Sequence, residues 1–168
     1  KLKEDIDLFA EKGKLIDRSN KKGLQYDNYI NAKLSEAIIK TFPRVGEKKL
    51  KDPNVYMWVN SNPKGASNSR HTHITYTRSL LLSGVYYVKV PENSGRIRFY
   101  DPRNISMINP PDYEYYHDSA LYNFVQPRED MILFFPSWFE HDVEENQSNE
   151  ERISIGFNIF VETEHINN

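Results

Sequence analysis

Two textures divide the chain. Over residues 4–16, "EDIDLFAEKGKLI", and again over 27–41, "DNYINAKLSEAIIKT", apolar positions recur at three- and four-residue intervals. That spacing gathers them on one face of a helix. Asp5 and Asp27 stand near where the two helices would begin, as residues able to accept hydrogen bonds from a first turn. From Val55 on the helical period does not return. Short runs rich in β-branched and aromatic residues take its place: "VYMWVN", "HTHITYT", "LLLSGVYYVKV", "RIRFYD", "YNFVQP", "MILFFP" and "RISIGFNIFVE". They are broken by turn-forming "SNPKGASNS", "PENSG", "DPRN", "NPPD" and "ENQSNEE". Seven or eight antiparallel strands at this spacing predict a mainly β sandwich or jelly roll over about residues 55–161. The two N-terminal helices, within about residues 1–45, are expected to pack outside it on the larger sheet. There is no internal repeat, and 168 residues suit one domain with one core.

Composition narrows the chemistry. The net charge is −2 with mixed signs, and the one lysine cluster, "GEKKLKD", reads as a solvated loop, so no nucleic acid partner is expected. Without cysteine, disulfides and thiolate metal sites are excluded, and a transition metal must be held by nitrogen and oxygen. The longest apolar runs, such as "MILFF", are too short to span a bilayer, and the N-terminus lacks the build of a signal peptide. The expectation is a cytoplasmic protein with no membrane partner. Eleven tyrosines and nine phenylalanines favour strands and pocket walls over helical surface.

Three histidines and one strand carry the candidate function. In an extended "HTH" the side chains of His71 and His73 leave the same face, which is how one strand offers two imidazoles to one metal, or two polar groups to water. His141 follows a buried run and a Pro-Ser turn in "FFPSWFEHDV". The next strand, "RISIGFNIF", alternates: Ile153, Ile155, Phe157 and Ile159 face one side, Arg152, Ser154, Gly156 and Asn158 the other. If that second face lines a pocket, a guanidinium and a hydroxyl two residues on form a clamp for a carboxylate. If it faces water, they are ordinary solvated residues.

The ordered phrases "HTH", "LSGVYYVKVP", "SGRIRFYDPR", "LFFPSWFEHDV" and "ERISIGFN" resemble the iron(II)- and 2-oxoglutarate-dependent dioxygenases. Within them the closest texture is the prolyl-hydroxylase-like branch, and more narrowly a group of small uncharacterised bacterial and phage oxygenases. The match runs over about residues 55–160. It implies a double-stranded β-helix with iron at one mouth, and Fe(II), 2-oxoglutarate and O2 as cofactors. By the same resemblance His71 and His141 take the two histidine positions of the metal site. Relatives place an aspartate two residues after the first histidine, where this chain has His73. The third ligand is therefore His73, giving three histidines, or a carboxylate from elsewhere such as Asp101. The i, i+2 geometry favours His73. Arg152 and Ser154 match the pair that holds the far carboxylate of 2-oxoglutarate, and Tyr87 a phenol aimed at the same group. Trp58, Asn60, Arg103 and Trp138 are candidates for the substrate side, although packing explains each as well. The implied reaction is hydroxylation of a small-molecule or peptidyl substrate, a prolyl group first, with release of succinate and CO2. Two alternatives stay open: a cupin-like dioxygenase or isomerase with three histidines and no 2-oxoglutarate, and a non-enzymatic β-sandwich binding module.

Overall fold

A computed structural model describes residues 2–16, 18–41, 53–74, 80–102 and 122–160. In chain order its elements are α1 (Leu2–Ala10), β1 (Lys14–Leu15), β2 (Asn20–Lys21), β3 (Leu24–Asp27), α2 (Ala32–Thr41), β4 (Asn54–Asn62) and β5 (Ser67–His71). They continue with β6 (Leu80–Lys89), β7 (Ile97–Tyr100), β8 (Tyr122–Val125), β9 (Ile132–Pro136), β10 (His141–Val143) and β11 (Arg152–Phe160). The strands form two antiparallel sheets, one in the order β1-β3-β4-β11-β6-β9 and one in the order β2-β5-β10-β7-β8. This mainly β, two-sheet jelly-roll arrangement is the expected fold class. Among the described residues no helix is long and apolar enough to cross a membrane.

The larger sheet is two-faced because β4 and β11 alternate in phase. Ile155 lies opposite Val59 and Phe157 opposite Met57, while Arg152, Ser154 and Gly156 lie opposite Asn62, Asn60 and Trp58. The first set joins Ile6 of α1 and Leu34 and Ile38 of α2 in one apolar cluster. Two helical positions four apart thus meet a strand face of period two. The opposite face turns toward the smaller sheet. There Val85 and Tyr87 of β6 and Phe135 of β9 pack with Ile97 and Phe99 of β7.

The N-terminal region departs from the expected pattern. α1 stops at Ala10, where Gly13 closes the turn by donating to the Phe9 carbonyl at 2.7 Å, and Lys14–Leu15 then pair with β3. Asp27 ends β3 and starts no helix; α2 begins at Ala32, with the Asn31 side chain capping the Leu34 amide at 2.9 Å. Three short strands therefore precede residue 55, and β3 adds directly to the edge of β4. Of the strand expected over "HTHITYT", His71 is the last residue of β5, residues 72–74 are outside it, and residues 75–77 lie outside the described residues. The turn holding Gly65 at φ 82° precedes the pairing of β5 with β2 and β10.

Candidate metal centre and adjoining cavity

His71 and His141 are cross-strand partners on β5 and β10. Sheet register therefore fixes both. His73 lies two residues beyond the end of β5, where its backbone amide donates to the Ser137 carbonyl at 2.9 Å and its ring stacks against His71 at 5.2 Å. One ligating nitrogen from each of the three lies within 4.8 Å of the others, and the Nε2 atoms of His71 and His73 are 3.2 Å apart. Every Nδ1 meets an oxygen: Ser69 carbonyl at 2.6 Å for His71, Asn158 Oδ1 at 2.9 Å for His73, Phe139 carbonyl at 2.9 Å for His141. Only an Nδ1–H can donate to those acceptors, so each Nε2 keeps a free lone pair within the cluster. Two lone pairs at 3.2 Å repel unless a cation lies between them. The cluster does not include Asp101, which has contacts of its own.

Burial keeps these rings neutral. It lowers the pKa of His71, and that of His73 to about 4, helped by the neighbouring His71 and opposed by the Asn158 hydrogen bond. His141 falls to about 3, through burial first and then His71, against the pull of the Phe139 carbonyl. Neutral imidazole is the form that binds a metal. The unfolded chain, with histidines near the ordinary 6.5, takes up protons that the folded chain refuses. Stability of the metal-free protein should accordingly rise with pH between about 4 and 6.5, and be lost on acidification across that window by on the order of a few kcal/mol. Urea unfolding at pH 4.5, 5.5 and 7 measures this, and a flat profile that matches a His73→Gln, His141→Gln double variant would contradict it.

A cavity of about 50 Å³ runs from the three histidines to Arg152, with Tyr87, Ser154, Asn60 and Trp58 among its walls. That is room for several waters or a small ligand, since one water needs about 10–15 Å³ on the same measure. Arg152 is 1 % exposed. Its Nη1 donates to the Ser94 carbonyl, and its Nη2 is buried without a hydrogen-bond partner among the described residues. Burial pulls its pKa below the guanidinium range, only partly opposed by Tyr87. Tyr87 sits opposite Ser154 across the β6–β11 ladder, and burial raises its pKa, so the phenol stays protonated. Asn60 Oδ1 accepts a 2.8 Å bond from Gln25 Nε2.

A larger groove of about 610 Å³ opens over His71 and His73, lined also by Arg18, Tyr56, Trp58, Thr72, Ile74 and Phe160 with others. Trp58 walls both spaces because residue 156 is glycine: a Cβ there would lie 2.4 Å from the indole. Gly156→Ala should push the indole toward His73, whose ring centroid is 5.5 Å away, at a cost of about 1–3 kcal/mol. A shifted Trp58 emission in a Trp138→Phe background, with a lower urea midpoint, is the expected result.

Sequence reasoning placed the three histidines, Arg152, Ser154 and Tyr87, and the structure brings all six to one cavity. Trp58 and Asn60 line it too. Trp138 does not; it is 54 % exposed and packs on Phe139. Arg103 lies outside the described residues. Gln25, Ser83 and Ser94 were missed, and Gln25 had no signal, being read as part of a connection between helices.

Residues 56–158 match the family described as "Putative 2OG-Fe(II) oxygenase". The chain belongs to that family. It is a 2-oxoglutarate-dependent oxygenase, and the family's cofactors are iron(II), 2-oxoglutarate and dioxygen. Membership decides against the cupin-like and non-enzymatic alternatives. No curated protein matches the sequence at a significant level. Among solved structures, a Pseudomonas putida prolyl-4-hydroxylase is similar with a TM-score of 0.65 at 14 % identity, over 96 % of this chain and 84 % of that one. A Trichoplax adhaerens prolyl hydroxylase, in complex with a hypoxia inducible factor oxygen degradation domain peptide fragment, gives 0.62 at 15 % identity over 95 % and 76 %. The non-heme alpha-ketoglutarate-dependent carbocyclase SnoK from nogalamycin biosynthesis gives 0.65 at 13 % identity over 95 % and 73 %. These likenesses agree with the double-stranded β-helix fold. The residues present suit the family's cofactors: three clustered neutral imidazoles for iron(II), and a buried cation that lacks an anion among the described residues, for a carboxylate.

Proposed function

We propose that His71, His73 and His141 hold the iron(II), that Arg152, Ser154 and Tyr87 hold 2-oxoglutarate, and that residues 1–168 act as one domain hydroxylating a small-molecule or peptidyl substrate. The observation that carries this is Arg152. Among the described residues this buried guanidinium has no carboxylate partner and keeps one nitrogen unbonded. Desolvating such a charge costs several kcal/mol unless an anion compensates. A dicarboxylate with one end at Arg152 and the other at the histidines would satisfy both poles of the cavity.

When bound, iron with 2-oxoglutarate and dioxygen supplies oxidative decarboxylation to succinate and CO2 and the hydroxylation of a substrate C–H bond. The chain's own part is placement. Arg152 grips the far carboxylate, Ser154 and the protonated Tyr87 add donors, and Phe135 and Trp58, packed against the histidines, exclude water there. The outer groove is wide enough for a peptide side chain, and the prolyl hydroxylases among the similar structures make a prolyl peptide the first substrate to try. Anaerobic titration of 2-oxoglutarate into the iron(II)-loaded protein should give a saturable absorption change, and admitting oxygen should yield succinate, faster with a substrate. Iron-loaded protein that neither binds 2-oxoglutarate nor forms succinate would overturn the assignment.

A further inference from the structure

We infer that Asn158 is a positioning residue that holds His73 in the tautomer and orientation a metal requires; this rests on the reading of His73 as an iron ligand. His71 and His141 donate their Nδ1–H groups to backbone carbonyls two residues away, Ser69 and Phe139. The backbone next to each in sequence orients them, within β5 for His71 and in the turn before β10 for His141. His73 has left its strand, and its ring is oriented through a side chain, Asn158 of β11.

That side chain is itself fixed. Asn158 faces Ser83 across the β6–β11 ladder, and Ser83 Oγ lies 2.8 Å from Asn158 Oδ1 and 3.2 Å from Ser137 Oγ. Ser137 closes the loop, because its carbonyl accepts the His73 amide. The fully buried Ser83 hydroxyl has two acceptors in reach, and donation to Oδ1 keeps the carbonyl end of the amide toward His73.

The amide's orientation decides what His73 can do. With Oδ1 toward the ring, Nδ1 carries the proton and Nε2 is a free lone pair. With the amide reversed, Nδ2 would donate to Nδ1, the proton would move to Nε2, and Nε2–H would point at His71 Nε2, 3.2 Å away. The first state is ready for a metal. The second is a closed histidine pair that a metal must break. Asn158 and Ser83 hold the first.

The test measures iron(II) affinity anaerobically, by competition with a coloured chelator, for wild type, Asn158→Leu, Asn158→Asp, Ser83→Ala and His73→Ala. Asn158→Leu should bind about 10–100-fold more weakly. Asn158→Asp, an acceptor that cannot donate, should restore wild-type or tighter binding, a rescue that a packing role would not produce. Ser83→Ala should fall between. In the metal-free wild type, ¹⁵N NMR should find His73 protonated on Nδ1. Wild-type affinity in Asn158→Leu, while His73→Ala loses iron, would overturn the role of Asn158 alone. Undiminished iron binding by His73→Ala would remove the three-histidine reading and this inference with it. If Asn158→Leu does not fold, the tautomer and the Asp variant still decide: His73 protonated on Nε2, or an Asp variant with weakened affinity, overturns the inference.

Discussion

Arg152→Met should leave the metal-free protein as stable as wild type or more so, and remove nearly all the stabilisation that 2-oxoglutarate confers. Two terms of opposite sign produce this. In the unliganded protein the guanidinium is buried beside a phenol and a backbone carbonyl with no anion among the described residues to compensate it, so an apolar side chain of similar length relieves a desolvation cost. In the complex the same substitution leaves the far carboxylate of the ligand without its charged partner, worth on the order of 3–5 kcal/mol, or two to three and a half decades in affinity. Ser154→Ala should lose only about 1 kcal/mol, the net worth of one neutral donor. Thermal unfolding of the iron-loaded protein across a 2-oxoglutarate series reads both terms, because the midpoint rises with ligand concentration relative to its dissociation constant. An Arg152→Met protein that responds to 2-oxoglutarate as wild type does would refute the clamp.

How far the sequence carries this site depends on whether a residue's place is set within its own strand or across strands. The strict alternation of "RISIGFNIF" separates the core face from the cavity face, and with it Arg152 and Ser154 from Ile153 and Ile155. The same period places Asn158 on the cavity face, but its hold on His73 depends on a cross-strand register with Ser83 that no single strand reveals. Strands β1 to β3 are two to four residues long, too short to show any period, and "DNYINAKLSEAIIKT" hides the end of one of them inside an apparent helix. Gln25 was lost with them. Spacing in "HTH" did put both imidazoles on one side, yet for a reason only half right: β5 ends at His71, and His73 reaches the cluster through Ser137 and Asn158.

If His73 is the third ligand, His73→Ala should weaken iron binding about as much as His71→Ala or His141→Ala, since each removes one of three donors from an ion with no other protein anchor. Asp101→Asn should leave iron bound, as Asp101 is not part of the histidine cluster. Charge adds a second readout. Three neutral imidazoles leave the centre with the full +2 of the ion, whereas an aspartate in place of one reduces it by one unit. The dianionic co-substrate should therefore bind less tightly to iron-loaded His73→Asp than to wild type, although iron itself is retained. Asn158 can accommodate that carboxylate only by turning its amide nitrogen toward residue 73, which costs the Ser83 hydroxyl its acceptor at 2.8 Å and directs it to Ser137 at 3.2 Å. Iron content and 2-oxoglutarate affinity measured on wild type, His73→Ala, His73→Asp and Asp101→Asn separate the possibilities. Loss of iron in Asp101→Asn with retention in His73→Ala would assign the third ligand to the carboxylate and leave His73 as its neighbour.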